Sequence, residues 1–182
     1  VIVAADANET KAAMKAAVNH SGPVYLRLGR DQAETVYTEE KEFIIGKADL
    51  LKDGNDVTVV SCGLMVNESL KAAEILKQDG IAARVINMHC IKPIDEGMIL
   101  RAAQETGAIV TAEDHSKIGG LGGAVAEVLA RTYPVPMEQV GVDDKFGESG
   151  SQTELFEKYG LTAMNIVFAA KRALLRKCKY LD

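Results

Sequence analysis

From Asp56 onward the chain alternates short β-branched runs with amphipathic stretches of helical period, and this alternation restricts the fold more than any other feature of the sequence. Val57-Thr58-Val59-Val60-Ser61 is a continuous apolar and β-branched run ending at Gly63, which suits a strand buried on both faces. Val66, Leu70, Ala73 and Lys77 then recur on one helical face, with Ile75 and Leu76 beside them, up to Gln78 and a terminating Gly80. Ala83 to Met88 reads as the second strand, Asp95 caps a helix running to about Thr106, and Ala108 to Thr111 makes the third strand. Gly119 to Gly123 precede a helix through Arg131, and Met137 to Val140 is another strand. Ser151 with Glu154 forms a capping box for a helix up to Gly160, and a last helix runs from Ala163 to about Lys177. Each right-handed crossover lays a helix on one face of the sheet. The pattern therefore predicts an α/β fold, a three-layer αβα sandwich around a mostly parallel sheet of about five strands.

The first thirty or so residues follow a different rule. Val1 to Ala5 reads as a strand, Asp6 and Glu9 have the spacing of an N-cap and its reciprocal acid, and an Ala-rich helix continues to Val18. Gly22-Pro23 breaks that helix before the short strand Val24-Tyr25-Leu26. This βαβ unit cannot bury a core by itself, so its first strand is expected to lean on the main domain or on a neighbouring chain. A polar, acidic stretch from Asp31 to Glu42 has linker composition, and Phe43-Ile44-Ile45 and Ala48 to Leu51 read as short strands around Gly46. The expected division is residues 1–31, a linker with short strands over 32–55, and the main domain over 56–182. Opening inside a strand and without Met, the sequence reads as cut from something longer.

Composition narrows the function. With 47% hydrophobic and 26% charged residues, the chain has a globular rather than a disordered composition. At 182 residues it can bury about 70% of its unfolded surface without a metal or a disulfide. A net charge of -5 argues against nucleic acid or an anionic membrane as the partner. The odd, widely spaced set Cys62, Cys90 and Cys178 points to a reducing, cytoplasmic setting, and no apolar run approaches the length of a membrane helix.

Several clusters could carry chemistry. The Gly119 to Gly123 loop before a helix could hold an anion on its backbone N–H groups, or could simply allow close helix packing. It lacks both the phosphate-loop ending and the small residue that a dinucleotide fingerprint wants where Val125 stands. Glu113-Asp114-His115 follows the third strand, at the edge where open α/β sheets place ligands. Its members could include a general base, although consecutive loop residues diverge, and they could equally fix a turn or an interface. His89-Cys90 would be a nucleophile pair only if adjacent residues of an extended segment shared a face, which they do not. Arg27 and Arg30, at and just past a strand end, could clamp a phosphate or carboxylate or could be ordinary surface arginines. The basic tail Lys171, Arg172, Arg176, Lys177 and Lys179 reads as a solvated helix face with cations favoured by the dipole.

The order of these motifs resembles the C-terminal third of transketolases. The likeness is carried by Gly22-Pro23-Val24-Tyr25-Leu26-Arg27-Leu28-Gly29-Arg30, Val59-Val60-Ser61-Cys62-Gly63, Lys92-Pro93-Ile94-Asp95, and Thr111 to His115 with the glycine loop. Phe146-Gly147-Glu148-Ser149-Gly150, followed by Leu155 to Gly160, completes it, so that the resemblance spans nearly the whole chain. Deoxyxylulose-phosphate synthase and the β chain of 2-oxo-acid dehydrogenases are similar in part, and Glu-Asp-His favours transketolase. The resemblance implies a transferase of the pentose phosphate pathway that moves a two-carbon ketol unit between sugar phosphates with thiamine diphosphate and Mg²⁺. It implies that this chain is the end of the pyrimidine-binding domain joined to the C-terminal domain, chiefly a packing element of a homodimer. The Gly-Asp-Gly motif for metal and diphosphate is missing, as is the glutamate that activates the pyrimidine. The chain alone is therefore expected to bind no cofactor and to be inactive without the N-terminal thiamine-binding section. No catalytic residue carries over. Arg30 matches the arginine that contacts the substrate phosphate, with Arg27 its neighbour if the register differs. The rival readings are an assembly domain of a 2-oxo-acid dehydrogenase E1 β chain, the end of a deoxyxylulose-phosphate synthase, and a free-standing nucleotide-binding domain.

Overall fold

A computed structural model describes residues 1–30, 32–39 and 42–179. Asp31, Glu40 and Lys41 of the acidic stretch lie outside the described residues, as do Tyr180, Leu181 and Asp182.

The elements appear in the expected order: β1 Ile2–Val3, α1 Ala7–Val18, β2 Leu26–Arg27, β3 Asp49–Lys52, β4 Val57–Ser61, α2 Met65–Gln78 and β5 Ala83–Asn87. There follow α3 Glu96–Thr106, β6 Ile109–Ser116, α4 Leu121–Arg131, β7 Met137–Val142, α5 Gln152–Tyr159 and α6 Ala163–Lys179. β3 to β7 form one five-stranded sheet in the order β3-β5-β4-β6-β7. Its pairs are parallel except for β3, an antiparallel edge strand on β5. The central strands β4 and β5 are wholly buried, as their unbroken β-branched runs require.

Successive side chains of the sheet feed two layers. Val57, Val59, Val85 and Val110 pack under α2 and α6, with Leu76, Ile166 and Ala170. Val60, Ile86 and Ile109 pack under α3 and α4, with Ile99, Leu121 and Val125. Lys77 does not join the buried face of α2 that Val66, Ala73 and Leu76 form; it lies at the edge of that face in the last turn and is exposed. Helix ends follow local chemistry. Asp95 accepts from Met98 N at the start of α3, Ser151 and Glu154 cap α5 reciprocally, and Gly107 and Gly160 end α3 and α5 in the left-handed conformation.

The N-terminal unit is shorter in its strands than the sequence suggests and is attached to the main sheet. β1 and β2 form a two-stranded parallel sheet. β1 leans on the segment after β5: Ile2 bridges Cys90, and Val3 N donates to His89 O at 2.8 Å. Phe43-Ile44-Ile45 is not a strand. The Ile45-Gly46 turn, with Gly46 at φ +86°, redirects the chain before any pairing forms, and Phe43 instead buries its ring in a small apolar cluster with Ile2 and Ala13. The linker is also strapped down. Asp6 caps α1 through Glu9 N at 2.7 Å, and its second oxygen accepts from Val36 N and Tyr37 N, each at 2.8 Å.

The helices after β4 and β6 leave on opposite faces, so the chain direction reverses between these strands. In open α/β sheets the crevice beyond such a reversal is the usual ligand site. Here β1 and β2 lie over it.

Candidate functional site

The crevice is narrowed by its own residues to a cavity of about 150 Å³, lined among others by Val3, Arg27, Cys62, Glu113, His115 and Gly120. β6 does not end at Thr111. After an irregularity beyond Ala112 it continues beside β7 to pair Ser116 with Val142. Glu113, Asp114 and His115 therefore stand on a strand rather than in a loop: Asp114 turns away to Arg27, while Glu113 and His115 stay on one side, 3.9 Å apart. Glu113 is 2% exposed, and its carboxylate accepts from Leu121 N at 2.7 Å and Gly122 N at 2.8 Å, capping α4. Burial pushes the Glu113 carboxyl above its usual range, against the opposing pull of those two N–H groups and of His115.

Two glycines of the loop are explained by close packing, Gly120 against that carboxylate and Gly122 against Gln139 and Thr111. A Cβ on Gly120 would lie 2.0 Å from Glu113 Oε2, and one on Gly122 would lie 2.8 Å from Gln139 Cδ and 3.0 Å from Thr111 Oγ1. The anion position at the start of α4 is thus filled by the protein itself, and close packing is the role of Gly120 and Gly122. His115 is exposed, with Nδ1 2.9 Å from Ser116 O and 3.9 Å from Glu113 Oε2.

Asp114 turns to the N-terminal unit. Its carboxylate accepts from Arg27 Nη1 at 2.9 Å and Nη2 at 3.1 Å, and its backbone carbonyl accepts from Nη2 at 2.9 Å. This bidentate pair holds the Arg27 guanidinium above its ordinary value, chiefly through the Asp114 hydrogen bonds. Gly63, at φ +58°, leaves room for the arrangement, since a Cβ there would lie 2.9 Å from Val3 Cγ1 and 3.2 Å from Asp114 Oδ1.

Arg30 differs. It is exposed, and among the described residues its side chain has no hydrogen bond or ion pair. A groove of about 350 Å³, lined by Gln32, Leu64, Asn67, Lys71 and Phe156, opens beside the segment after it. Lys71 in that groove is matched by Glu34 and Glu68. The structure therefore separates the two arginines: Arg27 is committed to Asp114, and Arg30 is available.

His89 and Cys90 are closer than an extended segment allows, with Nδ1 3.3 Å from Sγ. The regular ladder of β5 stops at Asn87, so the alternation that would hold them apart is lost. Both are buried, and burial raises the Cys90 thiol, which makes a reactive thiolate unfavourable. His89 instead borders a polar network that residue spacing does not reveal. Glu9, fully buried, accepts from Ala5 N at 2.7 Å and Asn87 Nδ2 at 2.8 Å. Asn87 Nδ2 also donates to Tyr37 Oη, which in turn donates to Asp49 at 2.6 Å. Burial, with the Glu9 and Asp49 carboxylates, drives the Tyr37 phenol far above its ordinary range. Glu9, Asp49 and His89 offer ligand atoms within 4.8 Å of one another. The hydrogen bonds of Glu9 and Asp49 make the group an internal tie between α1, the linker and the sheet. Only the Asp6 and Glu9 spacing hinted at it. Four cations of the basic tail are likewise paired: Lys171 with Asp79, and Arg172 and Arg176 with Glu138, while Lys177 Nζ donates to Thr106 O at 2.8 Å.

These features define a three-layer α/β domain in which the helix start at the switch point is capped by the protein's own carboxylate, Glu113. Residues 46–166 match the family model described as transketolase, C-terminal domain. The 6-deoxy-6-sulfo-D-fructose transketolase subunit SqwH of Clostridium sp. (strain MSTE9) is 51% identical over 172 residues, 94% of this chain and 53% of its own length. One of the subunits of the apulose-4-phosphate transketolase of Phocaeicola vulgatus is 41% identical over 162 residues, 88% of this chain and 52% of its own. A solved structure titled split gene transketolase, inactive beta4 tetramer, superposes with a TM-score of 0.94 at 50% identity, covering 97% of this chain and 58% of that one. This chain belongs to the transketolase family and carries its C-terminal domain. It spans about half the length of the curated relatives it matches. No helix among the described residues is long and apolar enough to cross a membrane.

Proposed function

We propose that this chain is the C-terminal section of a thiamine-dependent ketol transferase, in which it braces the pyrimidine-binding domain and supplies one substrate-facing cation, Arg30. Residues 1–31 then complete the pyrimidine-binding domain, 32–55 connect, and 56–182 form the C-terminal domain. An N-terminal section holds thiamine diphosphate and Mg²⁺, and the assembled subunits pair. The described residues do not fit the cofactor's diphosphate, because the N–H groups at the glycine-flanked start of α4 already donate to Glu113. No step of the reaction is therefore routed through this chain, and by itself it is expected to be inactive.

The observation that carries the reading is the division of labour between the arginines: Arg27 is neutralised by Asp114, whereas Arg30 is exposed and has no ion-pair partner among the described residues. A guanidinium suits any terminal tetrahedral oxyanion of a sugar. The named relatives act on one phosphate and one sulfonate sugar, so both anions belong in the test. In the enzyme assembled from both sections, Arg30→Ala is expected to raise KM for phosphorylated or sulfonated sugars by about tenfold or more and to leave unsubstituted sugars within about twofold. Equal effects on charged and uncharged sugars remove the role.

A further inference from the structure

We infer that Asp114, acting through Arg27, is the residue that positions Arg30 for its anion. This inference rests on the anion-binding reading of Arg30 given above.

β2 is the outer strand of a two-residue ladder, and its partner β1 is the strand fastened to the main sheet, through His89, Cys90 and Ile91. A ladder of two residues cannot by itself fix the course of the chain beyond it. The fixed point is the Arg27 guanidinium, which makes three hydrogen bonds to Asp114, two to the carboxylate and one to the backbone carbonyl. Such a planar fork sets orientation as well as distance, because both donors must lie in the carboxylate plane.

Asp114 is itself rigid. It belongs to β6, a strand of the main sheet, and its side chain is only 11% exposed. Gly63 shapes the opening through which it reaches β2. Two residues past Arg27, Gly29 approaches the side chain of Leu64 at the start of α2, where a Cβ would meet Leu64 Cδ2 at 3.3 Å. The segment from Arg27 to Gly29 is therefore held by an ion pair on one side and by packing on the other, and Arg30 is the next residue. The sheet edge thereby fixes the origin of the Arg30 side chain. A displacement of about 1 Å in such a positioning element is enough to cost about a hundredfold in rate or binding.

The test uses the enzyme assembled from both sections, with a phosphorylated sugar, a sulfonated sugar and an unsubstituted sugar, and with thermal unfolding followed for each variant. Asp114→Asn keeps the shape but not the charge, and is expected to raise KM for the two charged sugars by about five- to tenfold while kcat falls by less than about twofold. Arg27→Lys keeps the charge but loses the fork, and is expected to give a smaller rise of the same pattern; this variant decides the matter if Asp114→Asn does not assemble. A residue that merely stabilises the fold would shift all three sugars alike, and that result overturns the positioning role. If Arg30→Ala abolishes the preference for charged sugars while Asp114→Asn and Arg27→Lys retain the wild-type KM, the positioning role fails and the role of Arg30 stands. If Arg30→Ala changes no preference, the reading beneath it fails.

Discussion

Two places in this chain have the ingredients of an anion site, and they have opposite fates. At the start of α4, glycines and free helix N–H groups surround a carboxylate that belongs to the protein, Glu113. After β2, two arginines stand three residues apart, and among the described residues only the first is given a carboxylate. The comparison teaches that donor geometry alone does not make a ligand site. What matters is whether the fold has already supplied the counter-charge. At α4 the answer fills the helix start that faces the crevice where a doubly wound sheet would bind its ligand, and at β2 it leaves Arg30 without a counter-charge among the described residues.

The largest effect on this contrast should come from Gly120→Ala. The new methyl carbon would start 2.0 Å from Glu113 Oε2 and 2.7 Å from Ser116 O, so either the cap or the backbone has to move. We expect a loss of about 3 kcal/mol in chemical denaturation, and a loss below about 1 kcal/mol would mean that the cap is soft.

Next comes Glu113→Gln, which breaks the cap only in part. Burial raises the native Glu113 carboxyl above its unfolded value near 4.5. Its stabilising contribution is therefore complete below that value and is lost as pH rises through the native one. Relative to the non-titrating Gln variant, the wild type should be most favoured at low pH and should lose that advantage as pH climbs. Paired denaturation curves from pH 4 to pH 8 provide the check, and a difference that stays constant with pH would show that the carboxyl is not perturbed.

The smallest effects concern the arginines. Arg27→Ala leaves Asp114 unpaired and mostly buried, at a cost of about 1–2 kcal/mol. Arg30→Ala should stay within about 0.5 kcal/mol of wild type, as for surface positions without partners. Equal melting shifts for the two variants would erase the distinction drawn between them.

The sequence is most readable where local chemistry repeats. The β-branched runs of β4 and β5, the Asp95 cap and the Ser151 and Glu154 box place the elements of the main sheet to within a few residues, because each signal is satisfied by its near neighbours. It is least readable where partners are remote. The extension of β6 to Ser116 depends on β7, and Phe43 takes its place from α1 and His89 rather than from a strand of its own. The candidate site divides in the same way. Arg27 and Arg30 are visible as a pair, but the difference between them is made by Asp114, 87 positions away along the chain from Arg27.

One carboxylate, Asp6, is shared by the first turn of α1 and by the backbone at Val36 and Tyr37. The strap that sequence composition presents as a free connector is in effect a buckle. Loosening it would release the opening turn of the helix, so that this end of the molecule should come apart as one cooperative unit instead of fraying residue by residue.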